Sequence, residues 1–153
     1  MIIRNMESNE EELLFDIFLS SLYGIASKDY NQKQIEAWAS KDRDIKQWNE
    51  SIRKLNPFVA IIDNKIVGFA DLQANGYIDH FFVDSEYARQ GIGTSLMEHI
   101  LYQAKTLSLD ELSANVSKTA ENLFIKYGFE VIERRFPQRE NIILENAFML
   151  KKL

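Results

Sequence analysis

Residues 77–100 have the sequence YIDHFFVDSEYARQGIGTSLMEHI, and this stretch decides the fold. An apolar run ending at Val83 predicts a strand, a polar turn follows, and an amphipathic pattern predicts a helix that begins at the pair Gly91 and Gly93. Glycines let the backbone pass close to a ligand because they have no Cβ. The first turn of the helix leaves backbone N–H groups unpaired at the positive end of its dipole. The turn is therefore predicted to bind phosphate, mainly through several convergent amides, since the dipole alone contributes only about 0.3–1 kcal/mol.

Two common phosphate-binding motifs do not fit this turn. The dinucleotide pattern G-x-G-x-x-G needs a third glycine where the chain has Leu96, and the P-loop pattern needs a G-K-S/T sequence that the chain lacks. Binding of ATP or NAD at the turn without either motif stays an alternative.

Composition limits the class of protein. With 153 residues, 46% hydrophobic and 27% charged, the chain is predicted to form one globular domain over residues 1–153. The absence of cysteine excludes a disulfide scaffold, a thiolate zinc site and a cysteine nucleophile, and no metal is predicted. No apolar run approaches the ~18 residues of a membrane span, and the acidic N-terminal stretch does not resemble a signal peptide. We therefore expect a cytoplasmic protein without a membrane partner.

The charge balance argues against nucleic acid as a partner. The formal net charge is −5, which gives no long-range attraction for a polyanion. One basic cluster, Arg134, Arg135 and Arg139, is interrupted by Glu133 and Glu140. It is interpreted either as a solvated strand end or as a local contact for an anion.

Periodicity predicts an order of elements of the α/β or α+β class, a mixed sheet with helices packed on it. Ser8 and Glu11 have the spacing of a capping box at the start of the first helix, and Gly128 follows the last one. The predicted strands are Ile2–Ile3, Phe58–Ile62, Lys65–Leu72, Tyr77–Val83, Leu112–Val116, Phe129–Phe136 and Ile142–Leu150, and the later helices are Asn31–Ala39, Asp42–Leu55, the segment from Gly91, and Thr119–Tyr127.

The strand, the polar turn, the G-x-G pair and the helix resemble the acyl-CoA socket of the GCN5-related N-acetyltransferase (GNAT) family. Residues 115–129, NVSKTAENLFIKYGF, are similar to that family's strand, short helix and closing Gly-Phe. The resemblance covers the whole chain and is to small bacterial acetyltransferases. It implies a mixed, mostly antiparallel sheet flanked by helices. It also implies transfer of an acetyl group from acetyl-CoA to an amine of a small molecule or protein, without a metal, and final strands that can pair between subunits as a homodimer.

The resemblance also implies which residues bind the cofactor. The backbone of Phe81, Phe82 and Val83 would pair with the pantetheine arm as an added strand does. The amides of the turn would hold the pyrophosphate; these residues are Arg89, Gln90, Gly91, Ile92, Gly93 and Thr94. The family usually has Arg or Gln where this chain has Ala88, so side-chain help would come from Arg89 or Gln90.

The catalytic residues depart most from the family pattern. Phe124 occupies the position where relatives often have a tyrosine as general acid, and Tyr127 is either its replacement or a core residue. The positions of the family's base correspond to Tyr77 and Asp79. The resemblance therefore implies that Asp79, directly or through water, receives the amine proton with Tyr77 nearby. His80 has the better intrinsic pKa for a base, but strand alternation places it on the opposite face from Asp79.

The acceptor pocket is expected between the helical region Tyr23–Leu55 and the last hairpin. Four aromatic residues there either line the pocket or pack the helices on the sheet: Tyr23, Tyr30, Trp38 and Trp48. A second function stays open. Because Phe124 cannot donate a proton, the chain is alternatively a non-catalytic acyl-CoA-binding regulatory module.

Overall fold

The computed structural model describes residues 1–40 and 43–153, and within these ranges the chain forms five α-helices and ten strands. The helices are α1 (Glu11–Gly24), α2 (Gln32–Ala39), α3 (Ile45–Leu55), α4 (Ile92–Thr106) and α5 (Glu121–Lys126). The strands are β1 (Ile2–Asn5), β2 (Phe58–Ile62), β3 (Lys65–Ala70), β4 (Tyr77–Ile78), β5 (Phe81–Val83), β6 (Glu111–Ser117), β7 (Glu130–Arg135), β8 (Gln138–Arg139), β9 (Ile142–Ile143) and β10 (Asn146–Lys152). Of the described helices, none has both the length and the apolar character that crossing a membrane requires.

The strands form two adjoining four-stranded sheets and one small hairpin. The first sheet has the order β1-β2-β3-β5, the second has the order β4-β6-β10-β7, and β8 pairs with β9. Only the β4–β6 pairing is parallel among the described pairs. The predicted fold class, a mixed and mostly antiparallel sheet flanked by helices, is confirmed, although the strands divide between two sheets instead of forming one.

The helices lie on two faces of these sheets, and each face has its own core. On one face α4 and α5 bury a cluster that joins both sheets and includes Leu96, Met97, Ala114 and Met149. On the other face α1, α2 and α3 cover residues of the first sheet, with Phe18, Trp48, Ile52 and Phe69 among them. We call these the α4 face and the α1 face.

The capping-box prediction for the first helix is wrong. Helix α1 begins at Glu11, and no side chain caps its start. Ser8 lies in a turn before the helix, where Asn9 adopts a left-handed φ of 73°. The carboxylate of Glu10 instead accepts hydrogen bonds from Arg4, so the approach to the helix is tied to β1.

The next two helices are capped at their N-termini by side chains. Asn31 caps α2 in a capping box with Gln34, and the Asp44 side chain caps α3 by accepting from the amide of Lys46. The predicted start of α3 at Asp42 lies outside the described residues.

The prediction of one strand over Tyr77–Val83 is wrong, because the segment forms two short strands in different sheets. Asp79 and His80 form the break between β4 and β5. The carboxylate of Asp71, a fully buried residue at the end of β3, accepts hydrogen bonds from both of their backbone amides, at 3.0 and 2.5 Å. These bonds replace the strand pairing that the two amides would otherwise need. The chain can therefore pass from one sheet to the other without leaving buried amides unpaired.

The last predicted strand, Ile142–Leu150, is also divided. Ile142 and Ile143 pair with the short β8, and β10 begins at Asn146. The hairpin of β8 and β9 therefore projects beside α2 instead of extending the sheet, as the bond from Gln34 Nε2 to the carbonyl of Ile143 shows (3.1 Å).

Candidate active site

A cavity of about 540 Å³ lies where the two sheets diverge, between β5 and β6. Its lining includes residues of the β4–β5 segment, of β6, of α5, and of the chain around the β8–β9 hairpin. Concave sites of this size are typical of small-ligand sites. The divergence of the sheets thus creates the cavity.

One edge of β5 faces this gap. The carbonyl of His80 accepts from the amide of Asp71, and the amide of Asp84 donates to the carbonyl of Val67, so these groups point towards β3. In an antiparallel ladder alternate residues point their backbone groups to opposite sides. The N–H and C=O groups of Phe81 and Val83 therefore point away from β3, and within the described residues no strand pairs with that edge.

The glycine turn lies between β5 and α4. Gly91 has a left-handed φ of 81° and is the N-cap of α4, which no side chain caps. Its carbonyl accepts from the amide of Ser95 at 3.0 Å, so the amides of Ile92, Gly93 and Thr94 lie in the first turn ahead of the first helical bond. A Cβ built on Gly91 would meet no atom within 4 Å. The turn therefore presents amides to open space, which suits an anion.

Gly93 has a different role, because it lets three elements approach each other. A Cβ at this position would lie 3.2 Å from Leu123 Cδ2 and 3.7 Å from Phe81 Cε1. The first turn of α4 therefore packs closely on both α5 and β5. The other residues of the turn differ in burial: Ile92 is fully buried, so only its backbone faces a ligand, whereas Arg89 and Gln90 are exposed.

Tyr77 lies on the α1 face and is the first member of a hydrogen-bonded row. Its register partner is Ser113, while the next pair, Ile78 and Ala114, is buried in the core of the α4 face. Successive residues of a strand point to opposite faces, so Tyr77 faces away from α4. Asn115 Nδ2 donates to the Tyr77 hydroxyl at 3.0 Å, and Arg135 Nη1 donates to Asn115 Oδ1 at 3.0 Å.

Burial raises the pKa of the Tyr77 phenol, and the hydrogen bond from Asn115 opposes this only partly. The phenol thus keeps its proton throughout the neutral range. Since its oxygen already accepts from Asn115, its O–H group is available as a donor into the cavity. Tyr77 is accordingly suited to orient a ligand and not to remove a proton from it.

Asp79 and His80 both line the cavity, and the prediction that His80 lies on the opposite face of the strand from Tyr77 is wrong. The break between β4 and β5 interrupts the alternation: Tyr77 faces the α1 side, whereas Phe81 packs on the α4 face. The His80 ring packs against the edge of Trp48, with centroids 5.7 Å apart, which places it on the α1 side with Tyr77.

His80 is close to two carboxylates. Its Nδ1 atom is buried without a hydrogen-bond partner and lies 3.6 Å from Asp79 Oδ2 and 3.7 Å from Asp71 Oδ1. The side chain of Asp79 is 47% exposed, whereas that of Asp71 is 0% exposed. Two nearby acceptors favour a proton on Nδ1, which leaves the lone pair of the neutral ring on Nε2.

Tyr127 is not brought together with Tyr77 and Asp79. Its hydroxyl donates to Glu98 Oε1 of α4 at 3.2 Å, and desolvation together with this acceptor raises the pKa of the phenol. Phe124 is buried and lines the cavity, with its ring 5.3 Å from that of Phe81. The position expected for an acid thus holds an apolar ring, and Tyr127 is not among the residues that line the cavity.

The expected aromatic residues of the acceptor pocket divide into two groups. Tyr30 and Trp38 line the cavity. Tyr23 is 46% exposed and lies outside the lining. Trp48 is buried in the core of the α1 face, where its Nε1 donates to the carbonyl of Glu11 at 2.9 Å. Of the two alternatives left open above, lining of the cavity therefore holds for Tyr30 and Trp38, and packing of the helices on the sheet holds for Trp48.

Sequence reasoning missed Asn115 and Asp71, and it left a contact of Arg135 and Arg139 with an anion open as one of two interpretations of the basic cluster. Asn115, Arg135 and Arg139 line the cavity, and Asp71 fixes the strand break beside it. A signal existed for the arginines in the basic cluster of residues 134–139, and for Asp71 in its position directly after an apolar strand. For Asn115 the β6 pattern gave no signal.

Comparisons with known proteins identify the family of this chain. The sequence matches the model of the acetyltransferase (GNAT) domain over residues 26–144. It is 33% identical over 150 residues to the uncharacterized N-acetyltransferase YafP of Escherichia coli (strain K12), covering 98% of this chain and 95% of that protein. The crystal structure of a GCN5-related N-acetyltransferase from Rhodopseudomonas palustris superimposes with a TM-score of 0.93 at 26% identity, covering 99% of this chain and 95% of that one.

A more distant structure shares the fold. The PaiA N-acetyltransferase from Thermoplasma acidophilum, solved in complex with coenzyme A, has a TM-score of 0.78 at 18% identity and covers 99% of this chain and 98% of that one. Together with the domain match, these findings confirm the resemblance stated above. The chain belongs to the GNAT acetyltransferase family, and it is an acyltransferase.

Proposed function

We propose that this protein transfers an acetyl group from acetyl-CoA to the amine of an acceptor by direct attack. The observation that carries the proposal is the unpaired edge of β5, which faces the cavity next to a glycine turn with open space beside it. Strand edge, turn and cavity together match the three parts of an acyl-CoA molecule: the amide-bearing arm, the diphosphate and the thioester.

The residues present fit acetyl-CoA. The backbone groups of Phe81 and Val83 offer a donor and an acceptor each to the amides of the pantetheine arm, in the manner of an added strand. The amides of residues 89–94 suit the diphosphate, as expected at the uncapped start of a helix. A PaiA structure of the same fold contains coenzyme A, which supports this assignment.

The acceptor is proposed to approach from the α1 face. Tyr30, Trp38 and Tyr77 line the cavity on that side, whereas α4 and the glycine turn lie on the other. The amine is thus held on the α1 side and the thioester is held between β5 and β6. The two reacting groups meet at the gap between the sheets. Such positioning can supply an effective molarity of about 10⁵–10⁸ M.

The chemical step needs one base. The acceptor arrives as an ammonium ion and loses one proton, after which its nitrogen forms a bond to the thioester carbonyl carbon. The carbon–sulfur bond breaks with its electron pair going to sulfur as the CoA thiolate, and the second proton of the nitrogen passes to that thiolate or to solvent. We assign the first proton to His80 Nε2, directly or through water. Asp79 has two roles in this assignment: it favours the proton on His80 Nδ1, and its exposed carboxylate attracts the ammonium form of the acceptor.

No general acid is assigned for the leaving group. Phe124 lies where the family has a tyrosine, and the Tyr127 hydroxyl is bonded to Glu98. A CoA thiolate leaves without a proton donor more readily than an alkoxide because a free thiol has a pKa near 8.5. Catalysis is therefore possible without a proton donor for the leaving group. The absence of this donor is also the feature that favours the second candidate, a non-catalytic acyl-CoA-binding module.

The test is release of free CoA thiol from acetyl-CoA in the presence of a panel of amines. Thiol release that depends on both the amine and the protein supports the proposal. Thermal stabilisation by CoA without thiol release on any amine identifies the binding module instead. Stabilisation by ATP or NAD that CoA does not match would show a nucleotide site.

A matched pair of variants tests where the cofactor binds. Gly91 and Gly128 both have a left-handed φ, 81° and 91°, but only Gly91 faces the proposed diphosphate site. Gly91→Asp places a negative charge in the open space at the turn, and calorimetry should show at least tenfold weaker CoA binding. Gly128→Asp introduces the same side chain beside Lys151 and should leave the affinity within twofold. Equal affinities for the two variants would contradict the assignment.

A further inference from the structure

Positive charge is concentrated at the acceptor end of the cavity. Arg135 pairs in register with Asn146 of β10, whose neighbour Ala147 is buried in the core of the α4 face, so Arg135 lies on the α1 face. Arg139, at the end of β8, lines the same cavity. Arg43 stacks on the Phe18 ring at 5.1 Å, and its pKa is lowered by burial and by the charge of Arg139.

The two arginines of the cavity lack strong acidic partners. Arg135 donates through Nη1 to the neutral Asn115, and its nearest carboxylate is the largely exposed Glu133, 3.7 Å from Nε. Among residues 1–40 and 43–153, no carboxylate lies within 4.0 Å of the Arg139 guanidinium. In a chain with a net charge of −5, guanidinium groups left with spare donors in a cavity point to an anionic ligand.

Arg134 shows the contrast. It precedes Arg135 on β7, yet both of its terminal nitrogens donate to the carboxylate of Glu121, and it does not line the cavity. The carboxylate of Glu145, which does line the cavity, also lies near Arg134, at 3.9 Å. The adjacent arginines therefore differ in function: Arg134 has acidic partners in the protein, and Arg135 has donors left for a ligand.

The end of the cavity is covered, which limits the size of the acceptor. The β8–β9 hairpin and the segment before β10 are tied to α2 and its surroundings by three hydrogen bonds. Gln34 Nε2 donates to the carbonyl of Ile143, Ser40 Oγ donates to Glu140 Oε1, and the Tyr30 hydroxyl donates to the carbonyl of Glu145. A small molecule fits beneath this cover more readily than a folded protein surface.

We propose that the acceptor is a small amine that also carries an anionic group, a carboxylate or a phosphate, which Arg135 and Arg139 bind. The amine then lies towards Asp79 and His80, at the thioester, and the anion lies towards the β8–β9 hairpin. This proposal rests on the proposed acetyl transfer and names its substrate class. It assigns Arg135 and Arg139 as specificity-determining residues.

The experiment compares amines with and without the anionic group. Lysine is paired with cadaverine, ornithine with putrescine, and phosphoethanolamine with ethanolamine, so the first two pairs test a carboxylate and the third a phosphate. With saturating acetyl-CoA, kcat/KM should favour the anionic member of at least one pair by tenfold or more. Arg135→Met should reduce that preference to below threefold, and Arg139→Met should reduce it as well. Arg134→Met removes the same charge from outside the cavity and should leave the preference unchanged.

The outcomes separate this proposal from the one on which it rests. Turnover of these amines without preference for the anionic members, or a preference that survives in both cavity variants, overturns the anion site while acetyl transfer stands. A more than tenfold loss of CoA affinity in Arg135→Met also overturns it, because the arginine would then bind the cofactor.

If no amine is acetylated, the same pairs are tested as ligands of the CoA-loaded protein. An increase in melting temperature with the anionic members, absent in Arg135→Met, supports the anion site while the acetyl transfer fails; no increase overturns it.

Discussion

Asp71 Oδ1 accepts a hydrogen bond from the backbone amide of His80 at 2.5 Å, although the two residues are nine positions apart and belong to the ends of different strands. The same oxygen accepts from the amide of Asp79 at 3.0 Å. One buried carboxylate therefore holds the break between the two sheets, and this break presents His80 and Asp79 to the cavity.

Replacement of Asp71 should cost stability. In Asp71→Ala the amides of Asp79 and His80 lose their acceptor, and a buried unsatisfied donor costs about 1–3 kcal/mol. Asp71→Asn keeps an oxygen acceptor of the same shape and should lose less. Urea unfolding measures both, and a loss below about 0.5 kcal/mol in the alanine variant would show that the carboxylate does not hold the break.

His80 and Asp79 should affect the chemical step and not cofactor binding. A positioned base contributes about 10²–10⁴-fold, so His80→Gln should lower kcat by a hundredfold or more while the KM for acetyl-CoA changes little. The remaining activity should rise more steeply with pH than in the wild type, because the amine must then lose its proton to solvent. Asp79→Asn should lower kcat less. A kcat of His80→Gln within threefold of wild type would remove His80 from the mechanism.

The two tyrosines of the sequence prediction should differ in effect. Tyr77→Phe removes the donor that faces the cavity and should lower kcat/KM about tenfold, as expected for loss of one hydrogen bond. Because burial raises the pKa of Tyr77, its ionisation should not reduce activity below about pH 10. Tyr127→Phe breaks only the bond to Glu98 and should keep kcat within twofold. The reverse ranking would favour Tyr127 as the acid.

The ion pair of Arg4 and Glu10 should make stability depend on pH. The bidentate hydrogen bond from Arg4 holds the pKa of Glu10 below 4.5. A lowered carboxyl pKa contributes stability that is present above pH 4.5 and is lost as the pH falls through the lower, folded-state pKa. Arg4→Met should therefore cost about 1 kcal/mol at pH 7 and less than that at pH 3, because the stabilisation decreases once the pH falls below 4.5.

The exposed pair of Lys152 and Glu111 provides the control for this measurement. Lys152→Met should leave the free energy of unfolding unchanged at both pH values, because exposed ion pairs are screened by solvent. A deficit of Arg4→Met that is as large at pH 3 as at pH 7 would show that packing of the arginine stem, and not the ion pair, stabilises β1 against α1.

Local signals predicted the parts of the fold that depend on local structure. The glycine turn and α4 follow from residues 91–100, and the predicted helix over Asn31–Ala39 agrees with α2 to within one residue. The alternation of residues 77–83 failed because it assumes an unbroken strand. The break depends on Asp71, six residues before that segment, and a contact between separate strands is not visible in periodicity.

The same distinction applies to the candidate site. The resemblance to the family implies roles for Tyr77 and Asp79, and both residues line the cavity. His80 was assigned to the wrong face for the reason just given. Arg135 and Asn115 come together through the pairing of β6 and β7 with β10, which brings residues 20 positions apart into a hydrogen bond. The register between these strands is set by tertiary packing, and the residue pattern within one segment does not predict it.

Amide NMR spectra recorded with and without CoA test the central claim most directly. The account predicts that CoA shifts the backbone amide signals of Gly91, Gly93 and Thr94 at the turn and those of Phe81 and Val83 on the free edge of β5, at micromolar to low millimolar concentration. Signals of β1 and β7, remote from the turn, should move little. If the amide signals of the turn and of β5 do not shift when CoA is added, the account of the active site is wrong, whether or not other signals shift.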